Sequence, residues 1–206
     1  MRMRLRPDRA LLTAFLAVYG VACLASPKTW RLLDAVNLAI HETGHIVFTP
    51  FGQVMHFLGG SLLQLLIPLA FVASFLRRGD RHAASVCLWW VAQNCWNISV
   101  YVADARAREL PLVGGGVHDW WWLLRRAGWL SLDQQLARSV HFAGVVLFVA
   151  AIAWGLSTLR ERESDPLESE DAALREWIGH GQPSGVAERP DRGVTGSTER
   201  AGRHGQ

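Results

Sequence analysis

The chain has 206 residues, of which 50% are hydrophobic and 19% are charged, and its formal net charge is +3. This length allows a single domain. The small charge, without a clustered basic segment in any folded region, argues against nucleic-acid binding, which needs Lys and Arg gathered on one face. Charged and apolar residues are separated into blocks instead of alternating, and this pattern is not typical of a soluble domain.

Four blocks without Asp, Glu, Lys or Arg predict membrane helices, and they are residues 10–26, 59–76, 83–103 and 139–159. As a helix rising 1.5 Å per residue, an 18-residue block spans roughly 27 Å, close to the hydrocarbon core of about 30 Å. A backbone in lipid must satisfy its own hydrogen bonds, which favours helices. We therefore predict an all-α, polytopic helical bundle in the cell membrane, with the lipid bilayer as its partner. The predicted helices are 10–26, 35–57, 59–77, 82–104 and 138–160, with a short interfacial helix at 118–127.

The first block follows Arg2, Arg4, Arg6 and Arg9, as expected for a cytoplasmic flank under the positive-inside rule. An alternative is a signal peptide, because Gly20-Val21-Ala22-Cys23 weakly resembles a lipoprotein cleavage site. The absence of a soluble domain after this block favours a membrane helix.

The segment 35–57 leaves two topologies open. If it crosses the membrane once, there are five spans and the termini lie on opposite sides. If it enters and returns near Pro50 and Gly52, there are four spans and both termini are cytoplasmic. The flanking basic residues number nine on one side and seven on the other in either case, an asymmetry too small for the positive-inside rule to decide.

The segment His41-Glu42-Thr43-Gly44-His45 is an HExxH motif within an apolar helix. Positions i and i+4 share one helix face, so both imidazoles can bind one metal ion. Glu42 is then placed to act as general base toward a water molecule. Two His and one Glu at membrane depth are costly unless they face a protein interior, where they mark function. A pair of interfacial His would not explain Glu42.

A catalytic zinc ion has three protein ligands and one open position, so a third ligand must come from elsewhere. One candidate is Asp104, at the end of a polar stripe that also includes Asn94, Asn97, Tyr101 and Arg108. Its alternative role is an ion pair with Arg108.

Two further candidates for the third ligand, His118 and Asp119, open the short Trp-rich helix. Asp119 has two alternative roles: orienting a ligand His as a supporting carboxylate, or capping that helix. The choice among Asp104, His118 and Asp119 stays open at this stage.

The predicted domains are a transmembrane helical domain, residues 1–160 with the HExxH site, and a polar tail, residues 161–206. Pro111 and Gly114-Gly115-Gly116 mark a loop before the short helix. The end of the tail, residues 184–206, is polar and is predicted to be disordered. A short amphipathic helix is predicted at residues 169–178.

HETGH on an apolar helix, followed by Gly59-Gly60 and a later membrane-embedded Asp, resembles the site-2 protease family of intramembrane zinc proteases. This resemblance implies that His41, His45 and Asp104 bind zinc and that Glu42 activates water. It covers about residues 35–105 and is specific only at HETGH, because the family's Leu-Asp-Gly context is missing around Asp104. The chain also resembles a group of small bacterial membrane proteins that share HE-x-G-H, GGSLLQ, Y-x-ADAR and HDW, a likeness that implies no activity.

Three hypotheses for function follow. The first is an intramembrane zinc metallopeptidase that cleaves a membrane-protein or peptide substrate by metal-activated water. The second is a non-catalytic membrane protein with a structural or metal-handling zinc site, which a closed set of His41, His45, Asp104 and His118 would favour. The third is a metal-dependent hydrolase of lipids.

Overall fold

The protein is described by a computed structural model that covers residues 3–113, 116–162 and 174–178. These residues are mostly helical, which confirms the predicted all-α class. The elements are β1 (Met3–Leu5), α1 (Pro7–Ala25), α2 (Leu32–Phe48), α3 (Gln53–Arg77), α4 (Arg81–Ala103), α5 (Asp119–Arg126), α6 (Asp133–Ser157) and β2 (Arg160–Arg162), with short 3-10 turns at Thr49–Phe51 and Leu130–Leu132.

Three segments of the described chain are long and apolar enough to cross a membrane: α1, α3 and Leu130–Ser157, which contains α6. This agrees with a membrane protein, although the count is lower than the four to five spans expected from the sequence. The helix α4 is long enough at 23 residues, but its Gln and Asn side chains make it less apolar. The helix α2 has 17 residues and includes Asp34 and Glu42.

The predicted boundary between helices 35–57 and 59–77 is wrong. The chain turns instead at Thr49–Phe51 and Gly52, and α3 then runs without a break through Gly59 and Gly60. Proline cannot donate a helix hydrogen bond, and Gly52 has a φ of 94°, a conformation that favours glycine. The return near Pro50 and Gly52 was one of the two alternatives for this segment.

The helix α4 lies at the centre of the bundle and has two chemically different faces. Trp89, Ala92 and Trp96 are buried in an apolar core with α1 and α6, including Phe148 of α6. The opposite face bears buried amides that contact α2 and α3. One helix thus separates an apolar half of the bundle from a polar half.

Contacts along α4 fix the direction of its neighbours. At its first turn, His82 Nε2 lies 3.1 Å from Thr13 Oγ1 of α1, and further along, Trp89 contacts Tyr19. The helix α1 therefore runs parallel to α4. The helix α6 runs antiparallel to α4, since its first turns pack beside the end of α4 and Gly155 lies near Ser85.

The two short strands lie at the end of the bundle where α1 begins and α6 ends. β1 pairs antiparallel with β2, with Arg4 opposite Glu161. The last turn of α4 lies about 30 Å from its first turn, at 1.5 Å per residue. The residues around Tyr101 and Ala103 are therefore at the end of the bundle opposite the strands.

The chain divides into a helical unit, Met1–Glu163, and a C-terminal unit, Ser164–Gln206. In the C-terminal unit the structure describes residues 174–178, which are helical and fall within the predicted helix 169–178. The predicted disorder of residues 184–206 and two glycines of the predicted loop, Gly114 and Gly115, lie outside the described residues.

Candidate metal centre

The HExxH motif occupies the middle of α2, so that His41 and His45 lie one turn apart on the face toward α3. Their ring centroids are 4.7 Å apart. His41 is buried, with 7% of its surface exposed, and His45 is half-buried. The helical spacing thus places two imidazoles together, as the sequence predicted.

Three glycines allow α2 and α3 to pack closely at this level. A Cβ atom on Gly44 would collide with the backbone of Gly59, and one on Gly60 would lie 2.5 Å from His41 Nε2. Small residues at a helix–helix contact permit such an approach. The glycine pair therefore makes room for the imidazole of His41 and is not a turn.

The Nδ1 atom of each imidazole forms a hydrogen bond with a carbonyl oxygen. His41 Nδ1–H donates to Gln64 Oε1 at 2.8 Å, and His45 Nδ1–H donates to the backbone oxygen of His56 at 2.8 Å. In a neutral imidazole the other nitrogen then has a free lone pair. Hydrogen bonds of this kind orient the histidines of metal sites and fix their tautomers.

Both Nε2 atoms point at one carboxylate oxygen, Asp119 Oδ2. The distances are 3.0 Å from His41 and 3.3 Å from His45. Asp119 is the first residue of α5 and is buried. Its carboxylate also accepts a hydrogen bond from the Tyr101 hydroxyl at 3.2 Å, and its backbone N–H donates to the same hydroxyl at 3.2 Å.

A negative oxygen and two imidazole lone pairs repel one another unless a proton or a cation lies between them. Burial alone raises the pKa of Asp119, but the hydrogen bonds with His41 and His45 outweigh burial and lower this pKa to about 2. Asp119 is therefore a carboxylate at neutral pH. His41, His45 and Asp119 form a group whose ligand atoms lie within 4.8 Å of one another and could hold a metal ion.

Asp104 and His118, the other two candidate ligands, face each other beside this group. His118 Nε2 lies 3.3 Å from Asp104 Oδ2, at ion-pair distance but without hydrogen-bond geometry, so that Nε2 has no hydrogen-bond partner among the described residues. Burial lowers the pKa of His118. The Asp104 carboxylate accepts hydrogen bonds from the backbone N–H groups of Glu109 and Leu110.

The pairing of Asp104 with Arg108 that the sequence left open is not an ion pair between side chains. The helix α4 ends at Ala103, and the Arg108 N–H donates to the backbone oxygen of Asp104 at 2.7 Å. The predicted polar stripe therefore continues on a helix only as far as Tyr101.

Glu42 lines a cavity of about 630 Å³ that also exposes His41, His45 and Asp119. Apolar side chains form much of the remaining lining, among them Leu38 and Ile98. Glu42 and the three candidate ligands thus border one space large enough for several residues of a peptide.

A buried amide network supports the centre. Gln64 has 2% of its surface exposed, and its Nε2 donates to Asn94 Oδ1 at 3.2 Å and Asn97 Oδ1 at 3.1 Å. These bonds leave Gln64 Oε1 for His41. Gln64 is the one amide in the apolar block 59–76. The sequence did not predict the hydrogen bond between Gln64 and His41, because the rotation of α2 relative to α3 cannot be read from either segment alone.

No protein-family model, no curated protein and no solved structure matches the chain.

Proposed function

We propose that this protein is a membrane-embedded zinc metallopeptidase, in which His41, His45 and Asp119 bind the metal and Glu42 acts as general base. The observation that supports it best is the convergence of two Nε2 atoms on Asp119 Oδ2 at 3.0 and 3.3 Å. A tetrahedral ion with bonds of about 2.0–2.1 Å separates its ligand atoms by roughly 3.3 Å. The three atoms therefore need only small shifts to surround one ion.

The donor set favours zinc. Two imidazoles and one carboxylate are the ligands of one class of catalytic zinc sites, which keep a fourth position open. Imidazole nitrogen also disfavours Mg²⁺ and Ca²⁺, which prefer oxygen. In the described residues no fourth His, Cys, Asp or Glu joins the group, as an open position requires.

Held by His41, His45 and Asp119, a zinc ion would supply a water molecule of lowered pKa and would polarise the peptide carbonyl. Glu42 accepts the proton of the attacking water and delivers it to the leaving amine. The Nδ1–H bonds of His41 and His45 keep both rings oriented, and the apolar cavity lining excludes bulk water from the cleaved bond. The substrate is a peptide segment that enters from the membrane.

This proposal agrees with the site-2 protease resemblance in the HExxH motif and differs from it in the third metal ligand. Asp119 comes from a short helix outside the membrane spans, whereas the resemblance implies an aspartate from a later membrane helix, Asp104. We also propose four spans, α1, α3, α4 and α6, because α4 lies between two apolar helices and its polar face turns toward α2. Both ends of the helical unit then lie on one side of the membrane.

Metal content of the purified full-length protein tests the ligand set. We expect about one zinc ion per chain, measured by inductively coupled plasma mass spectrometry, and loss of zinc in Asp119→Asn. The matched control is Asp104→Asn, which should retain zinc at reduced affinity because Asp104 only supports His118. Zinc lost equally in both variants, or absent from the wild type, would contradict the proposed ligands.

Activity is tested with the Glu42→Gln variant in detergent micelles. The probe is a mixture of synthetic transmembrane peptides, with new termini identified by mass spectrometry. We expect wild-type cleavage that falls by at least a hundredfold in Glu42→Gln, while zinc content stays unchanged. If both proteins bind zinc, cleave nothing and unfold when zinc is removed, the site is structural, which is the alternative function.

A further inference from the structure

Two arginines contact one tryptophan on the outer side of α5. The guanidinium carbon of Arg108 lies 5.1 Å from the ring centroid of Trp121, and that of Arg125 lies 5.0 Å from the same centroid. Both arginines are exposed. In the next position Arg126 lies 5.5 Å from the ring of Trp122. Cation–π contacts with tryptophan hold these cations in place beside α5.

The backbone also fixes Arg108. Its φ of 54° makes it the only described residue other than glycine with a positive φ, and such a conformation is strained for a residue that carries a Cβ atom. The N–H of Arg108 donates to the Asp104 backbone oxygen at 2.7 Å, and the Asp104 carboxylate binds the next two N–H groups. Arg108 is therefore directed toward Trp121 by an ordered turn.

This pair of cations has no carboxylate partner in the part of the chain that the structure describes. Among the described residues, neither Arg108 nor Arg125 has a carboxylate oxygen within 4.0 Å, although exposed Glu109 is adjacent in sequence. A cation near the end of α5 interacts favourably with the helix dipole, which accounts for Arg125 but not for Arg108. Since each guanidinium carbon lies about 5 Å from the same ring centroid, the two cations are within about 10 Å of each other, and an anion between them is attracted to both.

The position of α5 indicates where such an anion comes from. The helix is amphipathic and begins beside the last turn of α4, where Asp119 bonds to the Tyr101 hydroxyl. Trp122 stacks on Phe57 at 4.3 Å, Trp120 Nε1 donates to Ser61 Oγ, and Leu124 is buried. A helix that combines Trp with Arg in this way lies in the headgroup region of a bilayer.

We propose that Arg108, Trp121 and Arg125 bind the phosphate of an anionic lipid headgroup. The planar guanidinium groups donate to phosphate oxygens. This site is independent of the metal and of the proposed peptidase function, and it rests only on the membrane placement of the chain.

Lipid titration of the full-length protein tests the site. The protein in a neutral detergent is titrated with phosphatidylglycerol, and bound lipids are counted by native mass spectrometry. We expect the affinity for the first lipid to fall about fivefold or more in Arg108→Gln and in Arg125→Gln. Phosphatidylcholine should bind the wild type more weakly, because its headgroup is neutral overall.

Arg138→Gln is the matched control. Arg138 is exposed near the start of α6, at the same end of the bundle. Its replacement by Gln removes the same charge as the two test variants without changing the contacts of Trp121. Equal losses in all three variants would show general attraction to a basic surface and overturn the proposal. Displacement of the lipid by millimolar inorganic phosphate would also overturn it, since the site would then take free phosphate. Circular dichroism checks folding, and a variant that is misfolded is replaced by Trp121→Leu.

Discussion

At the scale of single residues, Gly60 gives a direct test of the metal centre, because a side chain there meets the metal-facing nitrogen of His41. In Gly60→Ala the new Cβ would lie 2.5 Å from His41 Nε2, and the imidazole must rotate away. We expect zinc affinity to fall by roughly tenfold or more, measured by competition with a chromogenic chelator. Overpacking should also cost about 1–3 kcal/mol of stability.

Gly144→Ala is a suitable control for Gly60→Ala. Its Cβ would lie 2.6 Å from Trp96 Nε1 in the apolar half of the bundle, so the overpacking is similar but no metal ligand moves. Zinc affinity should stay within twofold of the wild type in Gly144→Ala. Equal affinities in the two variants would mean that His41 does not bind the metal through Nε2.

Gln64 is expected to act through His41. In Gln64→Leu the His41 Nδ1–H loses its acceptor, and the ring is free to change tautomer. Zinc affinity should fall by about 10- to 100-fold, read by the same chelator competition. The control is Gln93→Leu, since Gln93 is equally buried but bonds to Asn37 and Asp34. Both variants should lose stability, but only Gln64→Leu should also lose zinc affinity.

The histidine pair could be predicted from sequence because a four-residue spacing on a helix fixes a shared face by local geometry alone. The third ligand could only be narrowed to Asp104, His118 and Asp119, because the choice depends on how a loop of fifteen or so residues returns to the bundle. The bond between Gln64 and His41 was not predicted, because it depends on the rotation between α2 and α3. The third ligand and the partner of Gln64 are both determined by packing between helices, which no local sequence pattern encodes.

At the scale of elements, α5 positions Asp119, and His118 determines how α5 begins. The Nδ1 of His118 accepts the N–H of Trp121 at 3.3 Å as the N-cap, and its Nε2 faces Asp104. In His118→Ala we expect a loss of about 1 kcal/mol of stability from the missing cap, with weaker zinc binding because Asp119 is less restrained.

His118→Asn separates a positioning role from a ligand role. Asparagine is a good N-cap, so it should restore the thermal stability and most of the zinc affinity lost in His118→Ala. If His118 binds the metal directly, the asparagine variant instead loses zinc as fully as the alanine variant. Differential scanning fluorimetry and the zinc competition assay measure the two quantities on the same preparations.

The α2–α3 hairpin shows why element boundaries were harder to predict than element type. Gly59-Gly60 and Pro50-Gly52 both look like breaks in the sequence, and glycine has two uses that composition does not distinguish. Gly52 adopts a positive φ and ends the turn, whereas Gly59 and Gly60 stay helical and admit α2. The distinction depends on a neighbouring helix.

At the scale of the whole molecule, α4 runs from one end of the bundle to the other, and the proposed four spans would place these two ends on opposite sides of the membrane. The turn between α3 and α4 lies near the paired strands, and the turn between α5 and α6 lies near the metal centre. If α1, α3, α4 and α6 all span the bilayer, these two turns face different compartments. A five-span arrangement, in which the segment 35–57 crosses alone, would place the termini on opposite sides.

Cysteine labelling tests whether α4 crosses the membrane, as it does with four or with five spans. Arg78→Cys and Ser131→Cys each place a thiol at an exposed position in one of the two turns, while the native Cys23 and Cys95 are buried. In sealed membrane vesicles an impermeant maleimide should label one variant at once and the other only after permeabilisation. The parent protein is labelled in parallel, so that background labelling of the half-buried Cys87 can be subtracted. Labelling of both turns from one side would contradict four spans, and it would also place the metal centre and the strands in the same compartment.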